Sequence, residues 1–362
     1  MRVVVPCGQK KTYTALCVEV TDKKPDIGVK NIKCIYSVLD DMPMLLPQQL
    51  KLWQWMADYY MCPLGDIYKA ALPAGLKAED GYRPKTETYV GLTEKFHDEM
   101  ALNIALDMVS RYEKQQKALA GYLELSHWAE ISGTAIPDDI KEITQTELCN
   151  VTHCTTPTVK SLVKRGILEI YQKEVGRLNT DGEFTPQNAK LLNEAQQEAY
   201  NQVLMQFMKK NVVLLHGVTS SGKTEIYIHL ILKALQDHKQ VLFLLPEIAL
   251  TVQIMERLQR VFGSRLGIYH SKYSDAERVE IWKKQVSACP YDIIIGARSA
   301  ALLPFKNLGL VIIDEEHETS YKQQDPAPRY NGRNVAMVLA QMHGAKTLLG
   351  SATPAIESYY NA

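Results

Sequence analysis

Residues 212–224 constrain the fold more than any other stretch of this chain. The apolar run Val212-Val-Leu-Leu-His turns directly into Gly217-Val-Thr-Ser-Ser-Gly-Lys-Thr, which fills each fixed position of G-x-x-x-x-G-K-[ST] and has the strand before and the helix after that the pattern requires. Gly217 and Gly222 let backbone N–H groups turn toward a β-phosphate, and the following helix adds its N-terminal partial positive charge. Lys223 can reach the β- and γ-phosphates, and the Thr224 hydroxyl can ligate Mg²⁺. Thr219, Ser220 and Ser221 complete the loop and Glu225 follows in the first helical turn. A loop of this kind sits at the edge of a parallel sheet, so the chain must contain an α/β layer.

Two more strand ends extend the pattern. Leu310-Val-Ile-Ile delivers Asp314-Glu-Glu-His317 at the carboxyl end of a strand, where ligands of open α/β sheets collect. An acidic residue ending a buried strand is common. Beside a phosphate loop it reads as a Walker B site, Asp314 holding Mg²⁺ through its water shell and Glu315 orienting or deprotonating the attacking water, with Glu316 structural. Thr347-Leu-Leu-Gly ends in Ser351-Ala-Thr-Pro, and the Ser351 and Thr353 hydroxyls are expected to bond the Walker B carboxylates and sense their state. Further short apolar runs at 241–245, 266–269 and 293–295 alternate with helical stretches. This alternation predicts a RecA-like α/β lobe over residues 179–362, a mostly parallel sheet covered by helices on both faces.

At 362 residues, 46% apolar and 23% charged, the chain suits two or three globular modules. Residues 1–38 alternate apolar and polar positions in β-branched runs, broken by Pro6, Gly8 and a turn at Pro25, which predicts a small β-rich module. A helix over 47–62 follows, with Leu50, Trp53, Met56, Ala57 and Tyr60 at helical spacing, its aromatics read as core and Pro63 and Gly65 as its stop. This module is taken to end at residue 98. Residues 100–175 are expected to hold three helices and a hairpin. There Thr155 or Thr156 caps a helix with Pro157 in its first turn, Val159, Leu162 and Val163 form its apolar stripe, and Gly166 ends it before a β-run, the grammar of a winged helix. Residues 178–190 read as a linker.

Lys plus Arg equal Asp plus Glu at 41 each, so only a local surface can draw nucleic acid. Residues 1–40 hold seven basic residues against four acidic ones, and residues 157–177 hold five (Lys160, Lys164, Arg165, Lys173, Arg177) against two. Each set suits a phosphate-facing patch or a solvated face, and winged helices serve as DNA readers or as docking spacers. No apolar run reaches the roughly 18 residues of a membrane helix, and the N-terminus lacks the apolar stretch of a signal peptide; a cytoplasmic setting with no membrane contact is expected. The seven cysteines, never spaced C-x-x-C, read as reduced core thiols, and Cys149, His153 and Cys154 lack the second ligand pair of a zinc site.

The order of the three strand-end motifs is the signature of superfamily 2 nucleic-acid motors. The segments Thr224-Glu-Ile-Tyr, Leu245-Pro-Glu-Ile-Ala-Leu-Thr, Gly296-Ala-Arg-Ser-Ala, Asp314-Glu-Glu-His-Glu-Thr-Ser-Tyr-Lys-Gln-Gln, Arg329-Tyr and Gly350-Ser-Ala-Thr-Pro-Ala-Ile-Glu-Ser narrow it. With them the chain resembles the primosomal replication-restart DNA helicases along essentially its whole length. The resemblance implies a 3′-end DNA-binding domain over 1–98, a winged helix over 99–178 and helicase lobe one over 179–362. It also implies an ATP-dependent 3′-to-5′ DNA helicase that recognises stalled or abandoned forks and initiates primosome assembly, with ATP and Mg²⁺ as cofactors. Branched and single-stranded DNA, primosome proteins and single-stranded DNA-binding protein are the implied partners of a monomer. Gln196 would present its amide to adenine, the bland alternative being a helix-start glutamine. Thr251, Arg298 and Ser299 would lie along the single-strand track, and His317 would relay between Glu315 and an aromatic-rich loop holding Tyr321, Arg329 and Tyr330. The chemistry of that loop serves equally for stacking on bases and for packing against the lobe.

Set against that family, the chain starts a strand or two into the first domain and stops shortly after Ser351-Ala-Thr-Pro. The second lobe, its arginine finger and the family's zinc insertion are therefore expected outside residues 1–362, and zinc is not expected within them. Weak nucleotide binding, little hydrolysis and no unwinding follow for these residues alone. Another superfamily 2 motor would share the ATP site but differ in fork preference; a DNA-binding scaffold with an inert lobe would keep fork binding in Lys223→Ala.

Overall fold

The computed structural model describes the chain except for residues 8–10, 24–31, 78–81, 129–139, 176–181, 219–220 and 271. Lys10, Lys24, Lys30, Arg177 and the turn at Pro25 thus lie outside the described residues. Contacts divide the chain into two units, one of residues 1–83 with 177–362 and one of 84–176.

At the N-terminus β1 (Arg2–Cys7) is the middle strand of an antiparallel sheet, between β2 (Lys11–Leu16) and β3 (Ser37–Val38). Arg2 pairs with Leu16 and Val3 with Val38. Val3 and Val4 are buried, as is Arg2. The Arg2 guanidinium donates to Asp40 at 2.6 and 2.9 Å and to the Leu76 carbonyl at 3.1 Å. A buried cation must be paired, so Arg2 is spent inside the fold and contributes nothing to a phosphate-facing patch.

The unit of residues 84–176 is the winged helix. Its sheet runs in the order β5 (Ile143–Thr144), β4 (Thr86–Leu92), β6 (Leu168–Glu174), antiparallel throughout. Among the described residues four α-helices accompany it, Glu99–Val109, Glu113–Leu125, Gln145–Thr152 and Thr156–Lys164, against the three helices and a hairpin of the expectation. The final strand pairs with β4, Leu168 opposite Leu92, so residues 86–92 belong to this sheet although the sequence reading grouped them with the preceding module. Local pattern cannot register a pairing across so long a sequence gap. Thr155 is the N-cap of the last helix, with Pro157 in its first turn, and Val159 and Leu162 are fully buried. Of the basic residues here Lys160 and Lys164 face solvent, Arg165 lies 4.4 Å over the Tyr112 ring, and Lys173 is paired with Glu142.

The RecA-like lobe carries β7 (Val212–His216), β8 (Gln240–Leu244), β9 (Leu266–Tyr269), β10 (Ile293–Gly296), β11 (Leu308–Ile313) and β12 (Lys346–Ser351). They form one parallel sheet in the order β7-β12-β11-β8-β10-β9. Successive side chains alternate between faces. Val241, Phe243, Ile293, Ile295 and Ile312 meet Ile226, Ile231, Leu258 and Phe262 from helices Lys223–Gln236 and Val252–Phe262. On the other face Leu242, Leu244, Ile294, Val311 and Ile313 meet Trp282 and helix Gly332–His343. That second core also takes Leu52, Trp53 and Met56 of helix Pro47–Tyr59 and Ile67 of helix Leu64–Ala71. The first of these helices already ends at Tyr59, capped by Tyr60; Pro63 is the N-cap of the second, and Gly65, expected as a stop, lies inside it. Trp282 Nε1 donates to the Met44 carbonyl at 2.9 Å and Gln49 Nε2 to the Leu302 carbonyl at 3.2 Å. Residues 44–77 are thus part of the wall of the lobe rather than a separate bead.

The expected linker also packs on the lobe where it is described, the Thr185 N–H donating to the Val261 carbonyl at 3.0 Å. None of the seven cysteines is buried, contrary to the expectation of core thiols. Cys7 closes β1, and Cys289 lies beyond helix Asp275–Val286. Cys149 and Cys154, 3.8 Å apart between sulfurs, are half-buried.

Candidate nucleotide-binding site

Three strand ends converge at the carboxyl edge of the sheet because β12 runs between β7 and β11. The phosphate loop leaves β7. Thr219 and Ser220 lie outside the described residues. Gly222 caps helix Lys223–Gln236 at φ +81°, a torsion that demands glycine, and a Cβ there would come within 2.1 Å of Gln196 Nε2 and displace that side chain. The Lys223 ammonium folds back over the loop, donating to the Gly217 and Val218 carbonyls at 2.8 and 3.3 Å. Ser221 presents its carbonyl to Gln196 Nε2 at 3.2 Å. Gln196 Oε1 accepts from the Asn193 N–H in a capping box at the start of helix Glu194–Lys209. The amide named for adenine is thus engaged at both ends, tying that helix to the loop. Thr224 follows Lys223 at the helix start. Glu225 turns away into the interior, buried and paired with Arg257 of helix Val252–Phe262.

Asp314 ends β11. Its Oδ1 accepts from the Tyr227 hydroxyl at 2.8 Å and its backbone carbonyl from the Tyr321 hydroxyl at 2.7 Å. Burial raises the Asp314 carboxyl above the usual range, the neighbouring Glu315 charge adds to this, and the Tyr227 bond and Lys223 oppose it. Burial likewise pushes the Tyr227 and Tyr321 hydroxyls well up, with the Asp314 charge second. Both tyrosines therefore remain donors. Glu315 has φ +45°, a left-handed backbone that is strained for a non-glycine residue and clusters at functional positions.

The Ser351 and Thr353 hydroxyls do not meet the Walker B carboxylates as expected. Ser351 Oγ lies 2.8 Å from His317 Nδ1 and Thr353 Oγ1 3.4 Å from His317 Nε2. The imidazole, 3.6 Å from Glu315 Oε2, stands between that carboxylate and the third strand end. It fills the space because β12 ends with Ser351 pointing at residue 317. The Ser351 carbonyl in turn accepts the Gly217 N–H at 3.1 Å, closing the circuit to the phosphate loop. Glu316 is buried and accepts from Arg333 Nη1 at 2.6 Å, the Ala355 N–H at 2.7 Å and Ser358 Oγ at 2.7 Å. Burial alone would raise its pKa; these bonds outweigh it and hold the carboxyl low.

In the loop after β11 both tyrosines turn inward. Tyr321 and Tyr330 are each 1% exposed and pack in the lobe, with no ring face open to a base. Gln323 Nε2 closes the loop on the Pro326 and Pro328 carbonyls at 2.8 and 2.9 Å. Arg329 projects outward, paired with Asp325. Arg298 donates to the Ser320 carbonyl at 3.0 Å, which binds the loop to the turn Arg298–Leu302 that also carries Ser299. Thr251 caps helix Val252–Phe262, accepting from the Ile254 N–H at 3.4 Å. Tyr227 and Arg333 went unassigned in the sequence. Tyr227 lies one turn after Lys223, an i,i+4 spacing that puts both on the same helix face; nothing local marks Arg333.

Tyr227 is the one side-chain donor to the Asp314 carboxylate among the described residues, and the Glu315 backbone N–H is a further donor to it. Gly350 keeps the adjoining space open, since a Cβ there would lie 3.0 Å from Asp314 Oδ1. A carboxylate anchored by a buried hydroxyl and close enough to Lys223 to feel its charge, with Thr224 next along the helix that Lys223 begins, is a donor set that fits Mg²⁺ with a nucleotide phosphate.

Three family models match consecutive parts of the chain. They are the 3′DNA-binding domain over residues 1–73, the winged helix domain of PriA helicase of Bacteroidota over 87–175, and the DEAD/DEAH box helicase over 193–362. The replication restart protein PriA of Bacillus subtilis is 33% identical over an alignment that takes in 100% of this chain and 50% of that protein. The PriA of Haemophilus influenzae is 33% identical over 100% of this chain and 46% of its own length, and that of Chlamydia trachomatis 34% identical over 88% and 40%. The chain spans about half the length of the curated relatives it matches. A 3′DNA-binding domain, a winged helix and a helicase lobe in that order, with relatives of one name aligned end to end along it, establish that the chain belongs to the PriA replication restart family.

Proposed function

We propose that this chain supplies the nucleotide-binding lobe and two DNA-binding modules of an ATP-dependent DNA helicase acting in replication restart. Movement 3′-to-5′, recognition of stalled or abandoned forks, primosome assembly and contact with single-stranded DNA-binding protein belong to this reading on the strength of the family. The observation that carries it is the closed circuit Gly217 N–H to Ser351 carbonyl, Ser351 Oγ to His317, His317 to Glu315, because it joins phosphate loop, sensor strand and candidate base. Bound Mg²⁺ would neutralise charge developing on the β- and γ-phosphates. Lys223 releases the Gly217 and Val218 carbonyls to grip the phosphates, and Thr224 and Asp314 face the cation. Glu315 orients the attacking water, and Gln196 is poised to exchange its Ser221 bond for the base. DNA on the track of Thr251, Arg298 and Ser299 shifts the aromatic-rich loop, and the Tyr321 hydroxyl carries that shift to Asp314.

The test is equilibrium binding of a fluorescent ATP analogue to residues 1–362, with and without a forked DNA bearing a 3′ end. Magnesium-dependent binding that disappears in Lys223→Ala and changes when the fork is added is the expected result. Binding that is indifferent to Lys223→Ala would overturn the assignment.

A further inference from the structure

Tyr227 is fully buried, its ring edge-on to Phe243 at 5.5 Å between centroids, so its hydroxyl is aimed at one point. That point is Asp314 Oδ1, 2.8 Å away. The room for the contact is made on a third element. An ideal Cβ on Gly350, in β12, would lie 1.8 Å from the Tyr227 oxygen, and the backbone there is not in the left-handed region, so space rather than torsion requires glycine. If the position served packing alone, a phenylalanine would fill it without burying a hydroxyl that costs free energy unless it is bonded. The hydroxyl is bonded, and to the carboxylate that the proposed function needs most.

The geometry of the two elements sharpens this. Tyr227 stands on the helix that begins at Lys223, one turn along, so the phosphate grip and the clamp on Asp314 move as one rigid body. A carboxylate free to rotate about its last torsion can offer a cation either oxygen, or both at poor angles. With Oδ1 fixed by a phenol, Oδ2 is the oxygen without a side-chain donor among the described residues.

We infer that Tyr227 is a positioning residue for the cation site: through the space left by Gly350, its hydroxyl holds Asp314 Oδ1 so that Oδ2 faces the magnesium of a bound nucleotide. The inference rests on the nucleotide-site reading above. Tyr227 touches neither nucleotide nor cation and acts only through Asp314.

The experiment uses residues 1–362 and Tyr227→Phe, with a fluorescent ADP analogue titrated in EDTA and then, at fixed nucleotide, with MgCl₂; Mn²⁺ binding followed by paramagnetic resonance gives a second readout. Metal-free affinity should stay within about twofold, while the half-saturating magnesium rises roughly tenfold, the scale of one hydrogen bond to a charged group. A purely structural bond predicts parallel losses with and without metal, or none. An unchanged magnesium midpoint in a folded Tyr227→Phe, with wild-type circular dichroism, overturns the inference and leaves the nucleotide site standing. Wild-type protein that binds no nucleotide in either condition removes both. Should Tyr227→Phe fail to fold, 3-fluorotyrosine at 227, a stronger donor of the same shape, must lower the magnesium midpoint, and an unmoved midpoint is again a refutation.

Discussion

Glu316→Gln isolates a buried charge without changing shape. The Glu316 side chain is 0% exposed and that of its partner Arg333 19%. One oxygen accepts from Arg333 and Ser358 and the other from the Ala355 N–H. Glutamine can satisfy only part of this. With its carbonyl toward Arg333 and Ser358, its amide faces the Ala355 N–H donor to donor; turned over, it faces the guanidinium. Removing one partner of a buried ion pair costs about 3–5 kcal/mol, and an orphaned buried N–H about 1–3 kcal/mol. The two overlap, and Arg333 regains some hydration, so about 3 kcal/mol is expected. Urea unfolding followed by tryptophan fluorescence is the assay, since three of the four tryptophans, Trp53, Trp55 and Trp282, lie in the unit that holds Glu316. Arg333→Met should cost a similar amount, and the double variant should cost at least about 1 kcal/mol less than the sum. A Glu316→Gln cost below about 0.5 kcal/mol, or strict additivity, would refute the claim that this network binds helix Ile356–Asn361 to the end of β11.

Two other perturbations probe different joints. Trp53→Ala, at a side chain 1% exposed in the core shared with the lobe, should destabilise the unit of residues 1–83 and 177–362 by about 3–5 kcal/mol, read by the same urea transition; a loss under about 1 kcal/mol would mean that residues 44–77 are detachable. Gly222→Ala puts a Cβ 2.1 Å from Gln196 Nε2 at φ +81°, so nucleotide affinity should fall at least about fivefold for a strain cost of about 1–3 kcal/mol, and an unchanged titration would show that the loop is not held as described.

The lobe was legible because its determinants are local. Each strand of the parallel sheet is a short apolar run, and Gly217, Asp314 and Ser351 are marked by standing at the ends of such runs. What could not be read depends on partners distant in sequence. The β4 strand has no meaning without β6, and helix Pro47–Tyr59 shows an apolar face but not that the face meets Trp282 and Val335. The serine of the third motif was expected on a carboxylate and is found on His317, because which of two adjacent polar groups a hydroxyl meets is decided by the stagger of β12 against β11. The basic count at the N-terminus overstates what is available by at least one residue, for a related reason. Counting charges treats Arg2 as available, whereas Asp40 and the Leu76 carbonyl, both distant in sequence, have already claimed it.

Asp314 is bonded from two directions by groups of the same chemistry. Tyr227 holds its carboxylate and Tyr321 its carbonyl, and these two bonds act on different things. The first sets the rotation of a side chain. The second bears on the peptide that joins Asp314 to Glu315, whose own backbone is already strained at φ +45°. A small displacement of Tyr321 therefore reaches the candidate base through a single peptide unit, while the path through Ser351 and His317 must cross two hydrogen-bonding contacts to arrive at the same carboxylate. In the proposed reading the aromatic-rich loop moves the backbone under Glu315, and the sensor strand adjusts the imidazole beside it. In the same reading Tyr227 fixes the Asp314 carboxylate independently of both, so a moving loop can retune the base without turning the carboxylate that would hold the cation.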